Sequence, residues 1–351
     1  MTAQPKSAET QENGPMAGEK VVNLAMQGSG SHGAFIWGVL DRILEDGRIG
    51  FDGITATSAG AINAVVLADG LAQGGREGAR THLRSFWTKM SEAAAKSPIA
   101  PSIFDQANPK FGLDHTPAYL FNEMISRMMS PYELNPHDIN PVRDLLNATV
   151  DFERVRRQKA VKVFLCATNV RTSKVKTFPR EELTAEHVLA SGCMPIKMRA
   201  PEIDGEHYWD GGYMGNPAIF PVIYNCDARD VIMVHLTPFE RAENPTTSPA
   251  IIARMQEIIY NSSLMREMRA IAFVTKLIDE GKISDGKRMY MHLIEAEDVI
   301  RDLSGSSPMN GTWKFLTHLF EIGRERADRW LSAHYGQLGK ETTVDMQEKY
   351  L

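Results

Sequence analysis

An α/β fold, a three-layer α/β/α sandwich around a mostly parallel sheet, is the architecture that this sequence predicts, and three observations predict it. Short apolar runs at 21–26, 161–168 and 231–236 have the length and composition of strands buried on both faces. Helical patterns alternate with these runs. The first two glycine-containing turns fall where a strand hands over to a helix. The chain has 351 residues, 43% of them hydrophobic, which is enough to bury one large core. No internal repeat is visible.

The first strand, Val-Val-Asn-Leu-Ala-Met, runs into Gln27-Gly28-Ser29-Gly30-Ser31-His32-Gly33. Phe35, Ile36, Val39, Leu40, Ile43 and Leu44 then recur at helical spacing, and Gly47 is placed to end that helix. Gly28, Gly30 and Gly33 spell a dinucleotide-binding fingerprint, but that chemistry also wants an acidic residue closing the second strand to bind a ribose. Here the second strand runs into Thr55-Ala56-Thr57-Ser58, Glu45 and Asp46 fall at the end of the helix, and Asp52 precedes the strand. The loop has another use. Its N–H groups are unobstructed and the helix dipole points the same way, which suits an oxyanion. One such donor lowers an acyl-transfer barrier by roughly 3 kcal/mol.

The second strand leads into Ala56-Thr57-Ser58-Ala59-Gly60 and a helix-prone run through Leu67. Strand, sharp turn and helix are the order of a nucleophile elbow, which lifts a serine hydroxyl clear of the sheet. Small residues are needed two before and two after the serine, and Ala56 and Gly60 supply them. Taken alone, Ser58 reads equally as a helix N-cap.

Downstream, the strand at 161–168 has a hairpin partner at 174–178. Ile203-Asp204-Gly205-Glu206 reads as a second hairpin turn, returning through His207, Tyr208 and Trp209 to Asp210-Gly211-Gly212. Two glycines after Asp210 let its carboxylate approach another backbone closely. Asn216-Pro217 reads as an N-cap followed by proline at the first helical position. Residues 289–294 form a further strand candidate.

Together, residues 27–35, 56–64 and 209–217 resemble the patatin-like phospholipase family, in the family's own order of glycine-rich loop, serine elbow and Asp-Gly-Gly. Ser29, His32 and Ala56 depart from its commonest residues, and Ser29 narrows the oxyanion pocket. The resemblance spans roughly residues 20–240. It implies a patatin-like sandwich and a lipid acyl hydrolase. In that scheme Ser58 is the nucleophile, Asp210 its base, and the N–H groups of Gly28, Ser29 and Gly30 the oxyanion hole. Ala56, Gly60, His32, Gly33, Gly211 and Gly212 support the elbow and loop. No cofactor and no metal are implied, and the partner is a lipid or lipid-like ester.

Two other readings stay open beside it. A Ser-Asp-His triad needs a histidine after Asp210, and His235, His292 and His318 satisfy the order; His235 lies in an apolar strand and His318 in a helical apolar pattern, both of which suit packing. A catalytically silent lipid-binding or scaffolding protein of the same fold is the third reading, motivated by Ser29 and Ala56.

A net charge of −5 with no basic stripe argues against nucleic acid as a partner. Cys166, Cys193 and Cys226 have unrelated spacings, which suggests reduced thiols, no zinc pattern and a cytoplasmic setting. Cys193 has no base beside it in the sequence and reads as packing. Residues 1–19 are polar and read as a disordered tail without a signal-peptide core, and no stretch has the length of a membrane span. The acyl hydrolase domain is expected over 20–300, with a helical extension over 301–351. Within it, 98–150 is an insertion punctuated by Pro101, Pro109, Pro117, Pro131, Pro136 and Pro141 around a helix at 119–129, either a lid or a core-packed element. Long helices are expected at 249–280 and 312–335. The 18 methionines suit an adaptable acyl channel as well as any ordinary core. The mixed basic and apolar stretch at 264–269 reads as a solvated helix edge or a peripheral membrane contact, and the oligomeric state is left open.

Overall fold

The computed structural model describes residues 18–351. Eight strands, β1 (Lys20–Met26), β2 (Ile49–Ala56), β3 (Lys162–Asn169), β4 (Val175–Pro179), β5 (Glu202–Ile203), β6 (Glu206–Asp210), β7 (Asp230–His235) and β8 (Tyr290–Glu295), make one sheet. Its order is β5-β6-β3-β2-β1-β7-β8, with β4 also on β3. The β1–β2, β2–β3, β1–β7 and β7–β8 pairs are parallel, whereas β4 and β6 run antiparallel to β3. The chain lays β1, β2 and β3 outward in one direction, then returns to set β7 on the other side of β1. That reversal puts a crevice at the carboxyl ends of the central strands, where α/β proteins place ligands.

Alternation along the strands sorts side chains between two helical layers. Leu24, Met26, Ile232 and Val234 pack into the core shared with α1 (Gly33–Asp46) and α2 (Ala59–Ala95). Ala25, Val231 and Met233 face the opposite layer. The α1 helix ends as expected, with Gly47 at φ +79° donating its N–H to the Ile43 carbonyl at 3.2 Å. The α2 helix is interrupted at Gly74 and Gly75, which leave helical geometry.

The insertion holds α3 (Ile103–Ala107), α4 (Pro117–Ile125), α5 (Pro131–Leu134) and α6 (Pro141–Thr149), followed by α7 (Phe152–Arg157) and, after β4, α8 (Ala185–Ser191). The α4 helix stops at Ile125, short of the expected 129, and buries none of its residues. Phe121 is 60% exposed and Met128, just beyond the helix, 75% exposed, so this apolar face is turned to solvent rather than onto the core.

The remaining helices are α9 (Phe220–Asn225), α10 (Ser248–Asp279), α11 (Glu297–Ile300), α12 (Trp313–His334) and α13 (Met346–Tyr350). Residues of α9, α10 and α13 cover the second face of the sheet. The α12 helix instead lies directly on α1. A Cβ at Gly38 would overlap the Phe320 carbonyl, and one at Gly323 would overlap that of Phe35, so the two backbones touch where the glycines meet. Phe315, Leu316, Leu319 and Phe320 thereby join the main core. The segment read from sequence as an extension over 301–351 is thus part of the sandwich itself.

Two local expectations are corrected. No helix starts at Asn216-Pro217; α9 begins at Phe220 with Ile219 as its cap, and Asn216 is used elsewhere. Of the tail expected over 1–19, residues 1–17 lie outside the described residues, while Glu19 is ion-paired to Arg76 and so anchored.

Candidate active site

The loop after β1 is moored on both sides. Gln27 is buried, with its Oε1 accepting the Leu236 and Thr237 N–H groups at 2.8 and 2.9 Å and its Nε2 donating to the Asn216 carbonyl at 3.0 Å. The Gly28 N–H donates to Asn216 Oδ1 at 2.8 Å. That donor, expected for the oxyanion, is therefore already engaged. Among the described residues, the N–H groups of Ser29 and Gly30 take no protein acceptor and remain the loop's candidates. Gly30 enters a 3-10 turn at φ +55°.

His32 holds this turn from behind. Its Nε2 meets Ser307 Oγ at 2.8 Å and its Nδ1 meets Ser29 Oγ at 3.2 Å. Burial pushes the imidazole down to about 4, so it is neutral at pH 7 and brings no positive charge to an oxyanion. One ring nitrogen donates and the other accepts, which two hydroxyls can match. Gly33 starts α1 against Ala59: a Cβ there would lie 2.7 Å from the Ala59 Cβ.

Ser58 sits in the strained turn expected of an elbow, at φ +55° and ψ −119°. Its N–H donates to Ser191 Oγ at 2.9 Å, and Ser191 Oγ donates in turn to the Cys166 carbonyl at 2.7 Å. Ala56 is buried at the end of β2, and Gly60 packs against the Met26 and Gln27 carbonyls with no room for a Cβ. A Cβ at Gly28 would overlap the Ser58 Cβ and lie 3.2 Å from Oγ; one at Gly192 would also lie 3.2 Å from Oγ. The hydroxyl thus stands between two glycines on a half-buried residue.

Strand register brings Asp210 to this serine. The β4 strand pairs with residues 164–168 of β3 along one edge. Both β2, paired with 162–165, and β6, paired with 167–169, must therefore share the other edge in succession. Ala56 is level with Leu165 and Asp210 is level with Ala167, so β6 ends where β2 would have continued, at the height of Ser58. A Cβ at Gly211 would lie 3.0 Å from Thr57 Cγ2, and that glycine lies on the Cys166 carbonyl.

Asp210 is 2% exposed. Its N–H donates to the Cys193 carbonyl at 2.8 Å, and its Oδ1 accepts the Gly212 N–H at 2.7 Å. Burial pushes the carboxyl up to about 7, against the opposing hydrogen bonds of Gly212, the Ser58 side chain and the Tyr260 side chain. Among the described residues no cation offsets the burial. A carboxylate that titrates near neutrality and faces a serine hydroxyl is equipped for proton transfer.

The histidines of the triad reading are engaged elsewhere. His235 is buried, meets Asn261 Oδ1 at 3.4 Å, stacks on Phe239, and is pushed by burial down to about 3. His292 meets Asp230 Oδ1 and Thr343 Oγ1, each at 2.9 Å. His318 stacks on Phe111. Among the described residues, none of the three bonds to Ser58 or Asp210. Cys193 donates to the Arg199 carbonyl at 3.4 Å, and burial pushes its thiol up to about 12, which suits packing rather than nucleophilic attack.

Sequence reasoning missed Gln27, Ser191, Gly192, Asn216, Tyr260 and Ser307. All are joined to the site by contacts distant along the chain. A groove of about 470 Å³, lined by residues including Arg241, Ile251, Arg254, Met255 and Ile258, runs along the first turns of α10 and does not include Ser58.

A family model described as Patatin-like phospholipase matches residues 24–223, which contain the loop, the elbow and Asp210. Two solved structures are similar to this chain. VipD from Legionella pneumophila is 15% identical, with a TM-score of 0.43, over 89% of this chain and 67% of VipD. ExoU from Pseudomonas aeruginosa, in its complex with SpcU, is 14% identical, with a TM-score of 0.32, over 90% of this chain and 52% of the other. This chain therefore spans about two thirds and about half of their lengths. Among curated proteins, none matches this chain.

Proposed function

The chain belongs to the patatin-like phospholipase family, and we propose that it cleaves fatty-acyl esters of lipids with Ser58 as nucleophile and Asp210 as its base. The observation that carries this reading is the buried Asp210 carboxyl facing the Ser58 hydroxyl, with no histidine bonded to either among the described residues.

Asp210, as carboxylate, takes the Ser58 proton while Oγ attacks the ester carbonyl. The tetrahedral oxyanion lies against the Ser29 and Gly30 N–H groups. Its collapse breaks the ester bond, and the leaving alcohol takes the proton back from Asp210. Water then enters, gives a proton to the same carboxylate and attacks the acyl-serine. The fatty acid leaves with the acyl group, and Asp210 returns the proton to Ser58. A carboxylate raised by burial is a better match to a serine hydroxyl than an exposed one, and the glycine-walled pocket holds the reacting atoms close.

Exposed apolar side chains on elements beside the site support a lipid substrate and a peripheral contact with a lipid surface. Leu120, Phe121 and Met124 lie on α4, which is tied to the 192–200 segment through the Glu123–Lys197 ion pair. Met255 and Ile258 lie on α10, within two turns before Tyr260. Among the described residues no helix is long and apolar enough to cross a membrane.

A fluorophosphonate probe tests the nucleophile, and fatty-acid release from phosphatidylcholine vesicles tests the substrate. Wild type is expected to be labelled and to release fatty acid, and folded Ser58→Ala to do neither. Absence of labelling in folded wild type would favour a silent lipid-binding module. Labelling with hydrolysis of short soluble esters alone would remove the lipid half of the proposal.

The base also fixes a pH dependence. Because Asp210 must be ionised to accept the proton, kcat/KM should rise with pH through about 7 and level off above it. A profile that stays flat from about pH 5 to about pH 9 would take Asp210 out of this role.

A further inference from the structure

The α10 helix passes from exposed to buried along its length. Ile251, Met255 and Ile258 on its first turns are exposed, and burial begins at Tyr260 and continues through Asn261, Ser263, Leu264 and Met268. The Tyr260 ring covers Gly212, where a Cβ would lie 2.7 Å from ring carbons Cε1 and Cζ. The Gly212 N–H is the group that donates to Asp210 Oδ1. The ring also meets Tyr213 edge-on at 5.9 Å. One turn earlier, Gln256 Nε2 donates to the Tyr260 hydroxyl oxygen at 3.3 Å. A phenol has one proton to give, and with Gln256 donating into its oxygen that proton is left available to the neighbouring Asp210 carboxyl, which lies on the Gly212 turn under the ring.

We propose that Tyr260 is a positioning residue for the base, its hydroxyl orienting the Asp210 carboxylate toward Ser58 while its ring seals the Gly212–Asp210 hydrogen bond from water. The inference rests on reading Asp210 as the base. It extends the site beyond the family-matched segment 24–223, since α10 lies outside that range. A carboxylate has room for several donors, and a buried one swings or draws in water unless they hold it. Gly212 fixes one oxygen. The Tyr260 donor restricts the rotation that would turn the other away from Ser58.

The titratable groups that face Asp210 from the elements around it are Cys193 after α8, Tyr213 in the turn after β6, and Tyr260 on α10. All three are raised from their ordinary values, Tyr260 well above, and all are neutral where the enzyme is expected to work. A shift in the acid limb of the rate profile therefore reports on Asp210 rather than on a neighbour's titration.

Tyr260→Phe removes the O–H and keeps the ring. Losing a donor to the charged form raises a carboxyl's pKa. The acid limb of kcat/KM should move up by about one pH unit, which is about a tenfold loss at a pH below the wild-type limb. The pH-independent kcat should fall as well, with KM for a soluble ester nearly unchanged. A folded Tyr260→Phe with the wild-type limb and kcat would overturn the proposal, as would a loss confined to Tyr260→Ala, which would mean that only ring packing matters. Should Tyr260→Phe not fold, Gln256→Ala on the exposed side of α10 serves: the limb should move in the same direction by less, and an unmoved limb overturns the proposal. Asp210→Asn, assayed in parallel, separates the two levels. Substantial activity in folded Asp210→Asn defeats the dyad itself, whereas its inactivity beside a silent Tyr260→Phe defeats only the role of the tyrosine.

Discussion

Ser58→Ala and Asp210→Asn should each remove ester hydrolysis by about three to four orders of magnitude, because members of one proton-transfer unit fail together. Both variants are expected to fold. The hydrogen bond from residue 58 to Ser191 uses a backbone N–H and survives in Ser58→Ala. Asparagine keeps the shape of Asp210 and can still accept the Gly212 N–H through its carbonyl oxygen. It also lacks the charge that burial disfavours. The folded carboxyl is raised to about 7 from an ordinary 3.8, so its cost to stability is absent below that ordinary value. The cost grows between the two values and is complete above about 7. At pH 8 Asp210→Asn should therefore melt at or above the wild-type temperature while being inactive. Kinetics on purified protein together with a thermal melt check both halves. An inactive variant that melts well below wild type would show structural loss instead of a missing base, and a folded Ser58→Ala with substantial activity would end the assignment.

The parts of this site legible in the sequence are those made by neighbours along the chain. Residues 21–33 and 51–60 announce a strand, a turn and a helix through local spacing, and both turns form as read, down to the positive φ of Ser58. Asp210 is legible for a similar reason, as the end of a hairpin whose turn residues, Asp204 and Gly205, both take positive φ. What pairs with what is another matter. Asn-Pro carries the local chemistry of a helix start, but the tertiary structure spends Asn216 on holding the glycine loop at Gln27 and Gly28. That bond also decides which N–H groups are left for an oxyanion, a fact that no spacing contains. The 301–351 segment reads as an addition because its partner is distant. The signal lay in Gly38 and Gly323, small residues on two apolar helix faces that allow backbone contact. Tyr260 falls in step with Leu264 and Met268 on the buried face of α10, so its spacing reads as core packing and carries no signal of a site role.

Gly28→Ala should lower kcat/KM by about two orders of magnitude, the scale of a misplacement of about 1 Å in a reacting group. An added Cβ would overlap the Ser58 Cβ and come within 2.8 Å of the Thr57 carbonyl. Neither side yields easily. Ser58 is held in a strained turn by Ser191, and Gly28 is held by Asn216. Relief has to come from moving the loop away from Oγ or Oγ away from Asp210, and either motion separates groups that must meet in the transition state. The labelling rate with fluorophosphonate should fall in step, because the probe uses the same nucleophile and the same donors. Ser29→Gly is the control. It deletes the hydroxyl that meets His32 Nδ1 but keeps the residue 29 N–H, so activity should change only a few-fold. A folded Gly28→Ala with wild-type kcat/KM would mean that this loop does not border the nucleophile during turnover. A Ser29→Gly loss as large as that of Gly28→Ala would shift the decisive role from backbone approach to the Ser29–His32–Ser307 chain of hydrogen bonds.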